Sequence, residues 1–205
     1  MTGYFIVFEG GDGAGKTTQS TKLATWLAER GHTVTTTFEP GDSTLGKALR
    51  PLLLHSEMAL NDRAEALLYA ADKAQHVADV VRPALTAGHI VICDRYVDST
   101  IAYQGAGRTL DIAEITRLGW WSVGGLKPDL TVLMDVPEAQ GLARIADPDR
   151  IESAGADFHR RVRQHFLALA AAEPQRYLVV NGRAPKDEVA AQIQQRVAAL
   201  IAPPA

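Results

Sequence analysis

Several features are scarce in this chain of 205 residues, and each scarcity excludes a class of protein. The single cysteine, Cys93, excludes a disulfide within the chain and a metal site built from several cysteines. No apolar run approaches the ~18 residues that a membrane-spanning helix requires. The net charge is −3 and no basic block occurs, so neither nucleic acid nor an anionic membrane is indicated as the main partner. We therefore expect a cytoplasmic protein.

The most informative segment is rich in glycine and covers residues 10–17, GGDGAGKT. It fits the pattern G-x-x-x-x-G-K-[ST], in which glycines let backbone N–H groups turn inward around a polyphosphate. Lys16 can then reach the β- and γ-phosphates, and the Thr17 hydroxyl can bind Mg²⁺. A strand-like run at 4–8 precedes the segment and a helical pattern follows it, so the helix dipole adds to the anion site. The expected contacts to a nucleoside triphosphate come from Gly10, Gly11, Asp12, Gly13, Ala14, Gly15, Lys16, Thr17 and Thr18.

Strand-like and helical segments alternate over the rest of the chain. Further strands are predicted from a β-branched run at 33–38 and apolar runs at 90–93, 130–134 and 177–180. Helical patterns occupy residues 45–54, 62–87 and about 185–201. Short, unbroken apolar runs between helices are typical of a parallel sheet covered on both faces. We therefore predict a single α/β domain over residues 1–205, with a doubly wound five-stranded parallel sheet and ligands at the carboxyl ends of its strands.

A phosphate loop needs an acidic partner for Mg²⁺, usually at the end of a neighbouring hydrophobic strand. Two runs qualify, because 90–94 ends in Asp94 and 130–135 ends in Asp135. A dense polar cluster follows Asp94, whereas Asp135 leads into the first turn of a helix. We therefore predict that Asp94 and Thr17 bind the metal, Asp94 mainly through water. Asp135 is interpreted as a carboxylate that caps a helix or bonds a loop.

Arg95 directly follows Asp94 at the end of the same strand. A guanidinium group at this position can hold a phosphate group with two parallel hydrogen bonds, which suits a monophosphate acceptor. A surface ion pair is the alternative interpretation.

Around Asp94 the chain resembles one family, the thymidylate kinases. The segment ICDRYVDSTIAYQG at 92–105 is similar to the family's signature segment. Further similar segments follow the family's order: FEGGDGAGKTTQ, EPGDSTLGKALR, LLYAADKAQHV, KPDLTVLMDVP and DRIE…DFHRRVRQ. The resemblance covers nearly the whole chain. It implies a P-loop NTPase fold, phosphorylation of dTMP by ATP with Mg²⁺ as cofactor, and a homodimer.

The resemblance also implies residues for the acceptor. Asp12 matches the carboxylate that bonds the sugar 3′-hydroxyl, Tyr103 the aromatic that disfavours a 2′-hydroxyl, and Tyr69 the ring that stacks on thymine. A turn-stabilising role for Asp12 and a core role for Tyr69 are the alternatives. The whole implied dTMP set is Asp12, Phe38, Arg50, Tyr69, Lys73, Arg95, Ser99, Tyr103 and Gln104. Within it, Arg50 and Arg95 match arginines on the acceptor phosphate, although Arg50 also suits a solvated helix end.

Two positions of the acceptor set depart from the family. Phe38 stands where many bacterial relatives carry arginine, so one contact near the acceptor is missing or replaced. Lys73 stands where the family commonly has an arginine that bonds a thymine carbonyl. Lysine lacks the planar two-donor fork of arginine, which favours looser base selectivity.

The third departure is the lid, residues 143–153 (ARIADPDRIES), which is shorter and less basic than many bacterial lids. Phosphoryl transfer requires cationic groups to neutralise the moving phosphoryl group, and positions 11–14 of the phosphate loop supply none. We therefore expect Arg144 and Arg150 to provide this charge, with Lys16 and Arg95 as the other catalytic residues. Alternatives are another nucleoside monophosphate or deoxynucleoside kinase of this fold, or a nucleotide-binding regulator without catalysis.

Overall fold

A five-stranded parallel sheet lies at the centre of the computed structural model, which describes residues 3–202. The strands are β1 (Tyr4–Glu9), β2 (Val34–Phe38), β3 (Ile90–Asp94), β4 (Leu130–Asp135) and β5 (Tyr177–Asn181). Their order across the sheet is β2-β3-β1-β4-β5, and every neighbouring pair is parallel. This topology confirms the predicted doubly wound α/β fold.

Helices cover both faces of the sheet. They are α1 (Lys16–Ala28), α2 (Thr44–Leu54), α3 (Asp62–His76), α4 (Arg82–Thr86), α5 (Val97–Thr100), α6 (Ile112–Ser122), α7 (Glu138–Leu142), α8 (Ala156–Ala172) and α9 (Lys186–Ile201). Three of them begin after a short polar side chain that accepts a backbone N–H of the first turn. These caps are Ser43 before α2, Asn61 before α3 and Asp111 before α6.

The predicted helix over 62–87 is helical throughout most of its length but is not one regular α-helix. A π-helical turn, Val77–Val81, separates α3 from α4, and the Arg82 N–H donates to the carbonyl of Val77. Pro83 follows directly, and it has no N–H to donate while its ring crowds the carbonyl four residues earlier. The shift to wider hydrogen bonding before Pro83 therefore has a local cause.

The core has a layer on each side of the sheet, set by the alternation of side chains along β1. Ile6 and Phe8 point to the layer that contains Leu27 of α1. Phe5 and Val7 point to the opposite layer, which contains residues of α4 and residues that follow α6. All four β1 side chains are at most 1% exposed, and burial of each contributes about 1.5–3 kcal/mol. The unbroken apolar strand is thus explained by burial on both faces.

This arrangement places the functional loops at one edge of the sheet. β1 lies between β3 and β4, and Phe8 of β1 and Phe38 of β2 both lie level with Asp94 of β3. The carboxyl ends of these parallel strands therefore meet where the phosphate loop begins. Within residues 3–202, no helix is long and apolar enough to cross a membrane.

Candidate active site

The phosphate loop connects β1 to α1 through tight backbone turns. Gly10, Gly13 and Gly15 have φ values of 132°, 68° and 94°, a region that favours glycine. A Cβ atom on Gly13 would lie 2.1 Å from the carbonyl oxygen of Gly141, so the loop also packs closely against α7. The loop therefore requires glycine both for its turns and for its contact with α7.

Lys16 folds back over this loop. Its Nζ donates hydrogen bonds to the carbonyls of Gly11 (2.9 Å) and Gly10 (3.2 Å). Burial lowers the pKa of Lys16, and the positive charge of Arg95 lowers it further. The ammonium group is therefore held against the loop carbonyls, close to where the loop would bind an anion.

A cleft of about 1170 Å³, hereafter the large cleft, surrounds the loop. Its lining includes these phosphate-loop and α1 residues: Asp12, Gly13, Ala14, Gly15, Lys16, Thr17 and Thr18. Asp94, Arg95 and Arg144 line it as well. The structure thus brings most of the expected triphosphate contacts into one concave site, while Gly10 and Gly11 contribute their carbonyls to Lys16.

The two acidic candidates for the metal have different surroundings. The Thr17 hydroxyl donates to Asp94 Oδ2 (3.1 Å), and both residues face the large cleft. Asp135 instead forms an ion pair with Arg163 of α8, with Nε–Oδ1 at 2.7 Å and Nη2–Oδ2 at 3.1 Å. Adjacent hydroxyl and carboxylate oxygens are ligands that suit Mg²⁺, directly or through water. The Thr17–Asp94 pair fits this metal, whereas Asp135 is already neutralised.

Glu39, His76 and Cys93 also bring possible ligand atoms within 4.8 Å of one another. The Lys73 ammonium lies 2.8 Å from Glu39 Oε2. Both ring nitrogens of His76 are engaged, Nδ1 with Glu39 (2.7 Å) and Nε2 with the Thr37 hydroxyl (2.6 Å). Protein groups therefore already satisfy this cluster, and a cation is already present in it.

Arg95 is the centre of a polar cluster. Its backbone has a φ of 69°, and its N–H donates to the carbonyl of Phe8 (2.9 Å). Nη1 donates to Ser99 Oγ (3.1 Å), and Nη2 donates to the Tyr103 hydroxyl (3.2 Å) and to the Asp12 carboxylate. The Tyr103 hydroxyl in turn donates to Asp12 Oδ2 (2.7 Å). Burial opposes ionisation of Asp12, but the charges of Arg95 and Lys16 outweigh it and lower its pKa.

A second cavity of about 160 Å³, the small pocket, lies beside this cluster. Its lining contains all of the implied dTMP residues except Phe38: Asp12, Arg50, Tyr69, Lys73, Arg95, Ser99, Tyr103 and Gln104. Phe38 lines the large cleft instead, with the Arg50 guanidinium 5.3 Å from its ring centroid. Asp12, Glu39, Arg50 and Arg95 line both cavities. The two cavities therefore share a wall of charged residues.

Lys73 enters the small pocket already paired. Its Nζ lies 2.8 Å from Glu39, and the two side chains are 2% and 0% exposed. Burial opposes both charges, but their mutual attraction outweighs it, raising the pKa of Lys73 and lowering that of Glu39. The ammonium also lies 5.8 Å from the ring centroid of Tyr69. Lys73 therefore has one strong partner within the protein before any ligand binds.

The structure separates the two arginines of the 143–153 segment. Arg144 Nη1 donates to the carbonyl of Gly13 in the phosphate loop (3.1 Å). Arg150 does not reach this loop, because its guanidinium donates to Glu65 Oε2 (2.6 Å) and to the carbonyl of Leu53. In this arrangement a buried carboxylate therefore holds the charge of Arg150, and a contact with the phosphates would require Arg150 to leave Glu65.

Sequence reasoning did not select three buried carboxylates that organise the site: Glu9, Glu39 and Glu65. Each is 0–3% exposed and bonds to the residues of the small pocket or their neighbours. Burial and the negative charge of Asp98 raise the pKa of Glu9 to about 7. The sequence signal for Glu9 and Glu39 is an acidic residue that stands directly beside a recognised motif, in FEGG and EPGD respectively.

The comparisons with known proteins agree with this geometry. The family model described as thymidylate kinase matches residues 8–193. A thymidylate kinase from Cutibacterium acnes is 58% identical over 202 residues, covering 98% of this chain and 99% of the relative. One from Clavibacter michiganensis is 55% identical over 206 residues, with 98% of each covered. The crystal structure of the Ehrlichia chaffeensis thymidylate kinase superposes with a TM-score of 0.78 at 33% identity, covering 96% of this chain and 99% of that one.

These matches extend over both cavities and over the strands that carry them. A phosphate loop that shares a charged wall with a smaller pocket is the arrangement expected when a donor and an acceptor meet. With its sequence, fold and site in agreement, the chain belongs to the thymidylate kinase family.

Proposed function

We propose that this chain transfers the γ-phosphate of ATP to dTMP and releases dTDP. The observation that carries the proposal is the shared wall between the large cleft and the small pocket, formed by Asp12, Glu39, Arg50 and Arg95. Phosphoryl transfer depends on bringing the acceptor oxygen into line with the γ-phosphorus, and two cavities that meet at cationic side chains support this. The relatives at 55–58% identity are thymidylate kinases.

In this proposal the large cleft takes ATP. Backbone N–H groups of the loop and the N-terminus of α1 face the phosphates, and Lys16 moves its ammonium from the loop carbonyls to the β- and γ-phosphates. Thr17 and Asp94 would hold Mg²⁺, which when bound neutralises charge on the β- and γ-phosphates.

The small pocket takes dTMP. Arg95 and Arg50 bind the acceptor phosphate, and Asp12 bonds the sugar 3′-hydroxyl. Tyr103 limits the space beside the 2′ carbon, and Tyr69 stacks on the base. The remaining contacts to the base and sugar come from Lys73, Ser99 and Gln104, with Phe38 supporting Arg50 at the border. Apart from Phe38, all of these side chains line one pocket, which supports the assignment.

Residues 143–153 act as a lid within a single domain. Arg144 already bonds the phosphate loop and lies in the large cleft, so we assign to it the charge that stabilises the transferring phosphoryl group. Arg150, which bonds Glu65, anchors the lid on the acceptor side.

A coupled assay for ADP release tests the proposal. Purified protein with ATP and Mg²⁺ should phosphorylate dTMP at least about tenfold more efficiently than dUMP, CMP or AMP, because Tyr69 and its neighbours enclose the base. Rapid turnover of another monophosphate with negligible turnover of dTMP would transfer the assignment to another kinase of this fold. ATP binding without any phosphoryl transfer would support a regulator.

We further propose a cytoplasmic homodimer. The neighbouring helices α2, α3 and α6 expose large apolar side chains, among them Leu67 (58% exposed) and Trp121 (80% exposed). Large exposed apolar side chains on helices that pack side by side favour association. Light scattering should give a dimer mass for the wild type and a monomer mass for Leu67→Asp. Val179→Asp, on the edge strand β5, is the control and should remain dimeric; a monomeric wild type would contradict the proposal.

A further inference from the structure

Glu65 is a carboxylate with no exposure to solvent, and the proposed function gives it only the role of a partner for Arg150. It lies in the first turn of α3, where its backbone N–H donates to the carbonyl of Asn61 (2.9 Å). An exposed position in the same turn would satisfy the helix dipole equally well. Because a buried carboxylate is costly unless it is paired, the donors that surround Glu65 indicate what it does.

These donors come from two other parts of the chain. Oε1 accepts hydrogen bonds from Gln104 Nε2 (2.9 Å) and Arg108 Nε (3.2 Å). Oε2 accepts from Arg108 Nη2 (3.2 Å) and Arg150 Nη1 (2.6 Å). One carboxylate therefore links α3 to two other segments. The first is the π-helical turn Ile101–Gly107 together with Arg108, and the second is the 143–153 segment.

The bond to Gln104 fixes the orientation of an amide in the small pocket. A carboxylate accepts hydrogen bonds and cannot donate them, so Nε2 rather than Oε1 of Gln104 faces Glu65. Gln104 is 2% exposed and lines the small pocket. Its oxygen and its second N–H are thereby presented to the acceptor in one arrangement rather than two.

The bond to Arg150 fixes a wall of the same pocket. Nε and Nη2 of Arg150 donate to the carbonyl of Leu53 (3.0 and 2.7 Å), and its backbone N–H donates to the carbonyl of Leu54 (3.1 Å). The next residue, Ile151, is buried and lines the small pocket. Holding Arg150 on Glu65 therefore holds Ile151 against the acceptor site.

We propose that Glu65 is a positioning residue for the acceptor, which orients Gln104 and closes the small pocket through Arg150. The proposal rests on the proposed function, in which this pocket binds dTMP. Arg108 bonds both oxygens of the same carboxylate, so Glu65 stays paired when Arg150 is replaced. Arg108 balances the charge of Glu65, and Arg150 connects Glu65 to the segment that lines the pocket.

The first experiment measures kinetics and dTMP binding for Glu65→Gln, Arg150→Ala and the double variant. Glu65→Gln should raise both the KM and the Kd for dTMP by about tenfold or more, while kcat and the KM for ATP change less than about threefold. Arg150→Ala should act in the same direction. The double variant should be no worse than Glu65→Gln by more than about twofold, because both changes break one link.

Limited trypsin digestion supplies a measurement that requires no turnover. In the wild type the bond after the half-buried Arg150 should be cut more slowly than the bond after the exposed Arg144. Glu65→Gln should remove this difference. Asp157→Asn, which removes a carboxylate from the exposed pair with Arg160, is the matched control and should keep wild-type values in every assay.

Unchanged dTMP affinity together with unchanged cleavage after Arg150 in folded Glu65→Gln would overturn the proposal. A fall in kcat alone would also overturn it, because a purely structural role lowers the active fraction without moving KM. If Glu65→Gln does not fold, Arg150→Ala decides, and an unaltered KM for dTMP counts against the proposal. A wild type that lacks dTMP kinase activity would contradict the proposed function instead, while the cleavage difference would still test Glu65.

Discussion

At the scale of single residues, the surroundings of Lys16 predict an effect on the catalytic rate without an effect on acceptor binding. Its ammonium bonds two loop carbonyls in the large cleft, and Lys16 is not among the residues of the small pocket. Lys16→Ala should therefore lower kcat by about 10²–10³-fold, the usual effect of removing one preorganised donor, and leave dTMP affinity almost unchanged. Steady-state kinetics with calorimetry of dTMP binding measures both quantities.

The control for Lys16 lies further along the same helix. Lys22 forms an exposed ion pair with Asp187 at 2.9 Å, so Lys22→Ala should keep the wild-type kcat. Near-normal turnover of Lys16→Ala would exclude the role assigned to Lys16.

Glu9 predicts a pH dependence of stability. Its carboxylate accepts hydrogen bonds from the backbone N–H groups of Tyr96 (2.8 Å) and Ser99 (3.1 Å) and from the Ser99 hydroxyl (2.6 Å). Burial and the charge of Asp98 nevertheless raise its pKa from 4.5 to about 7. Between these values the folded chain binds a proton that the unfolded chain has lost. The free energy of unfolding should therefore fall as pH rises through this window, by roughly 3 kcal/mol in total.

Urea denaturation of the wild type and Glu9→Gln at pH 5 and pH 8 isolates this contribution. The amide cannot ionise but can still accept from the two backbone N–H groups, so other titrating groups cancel in the difference. The wild type should lose stability relative to Glu9→Gln on going from pH 5 to pH 8. A constant difference would show that the pKa of Glu9 is not raised.

The site residues that the sequence predicts and those that it does not predict differ in one physical respect. Thr17 and Asp94 follow from spacing, because a phosphate loop and a strand end fix where they lie, and the structure brings them within hydrogen-bond distance. Glu39 and Glu65 were not predicted, because even a position next to a motif does not show that a carboxylate is buried or which cations pair with it. Arg150 shows the consequence, because the sequence predicts a phosphate contact for its charge and cannot show that Glu65 lies within hydrogen-bond distance.

At the scale of elements, the strands were predictable because all but the edge strands carry side chains buried on both faces. The predicted runs at 90–93 and 130–134 differ from β3 and β4 by one residue at the carboxyl end. The helical stretch from 62 to 87 was harder, because the change of hydrogen-bond pattern before Pro83 leaves the apolar periodicity almost intact. Hydrophobic periodicity predicts the presence of a helix better than its hydrogen bonding.

The two arginines of the 143–153 segment have different contacts. Arg144 bonds the phosphate loop and lines the large cleft, whereas Arg150 bonds Glu65 on the acceptor side. Arg144→Ala should therefore lower kcat by about 10²-fold or more with little change in the KM for dTMP. Single-turnover kinetics with saturating ATP and dTMP measures the chemical step directly.

Arg160→Ala is the control for this variant, since Arg160 pairs with Asp157 on the exposed face of α8. It should retain the wild-type rate. If Arg144→Ala transfers phosphate at the normal rate while Arg150→Ala does not, Arg150 must leave Glu65 during catalysis, and the assignment of the two arginines would be reversed.

At the scale of the whole molecule, the central relation is the wall shared by the two cavities. β1 lies between β3 and β4, so the loops that follow β1 and β3 face each other across one edge of the sheet. Asp12 comes from the first loop and Arg95 from the second, and both line both cavities. Donor and acceptor sites that meet in this way need no large domain movement to bring their phosphates together.

This geometry predicts how a joined ligand binds. A compound in which adenosine and thymidine are linked through one polyphosphate chain should occupy the large cleft and the small pocket together. Because the second half then binds at high effective concentration, its affinity should exceed that of ATP by about 100-fold or more. Calorimetry in the presence and absence of saturating dTMP or ATP measures this, and either nucleotide alone should weaken binding.

Tyr69→Ala should reduce the affinity for the joined compound while leaving ATP affinity unchanged, since Tyr69 lines only the acceptor side. A joined compound that ATP displaces and dTMP does not would mean that the small pocket is not the acceptor site.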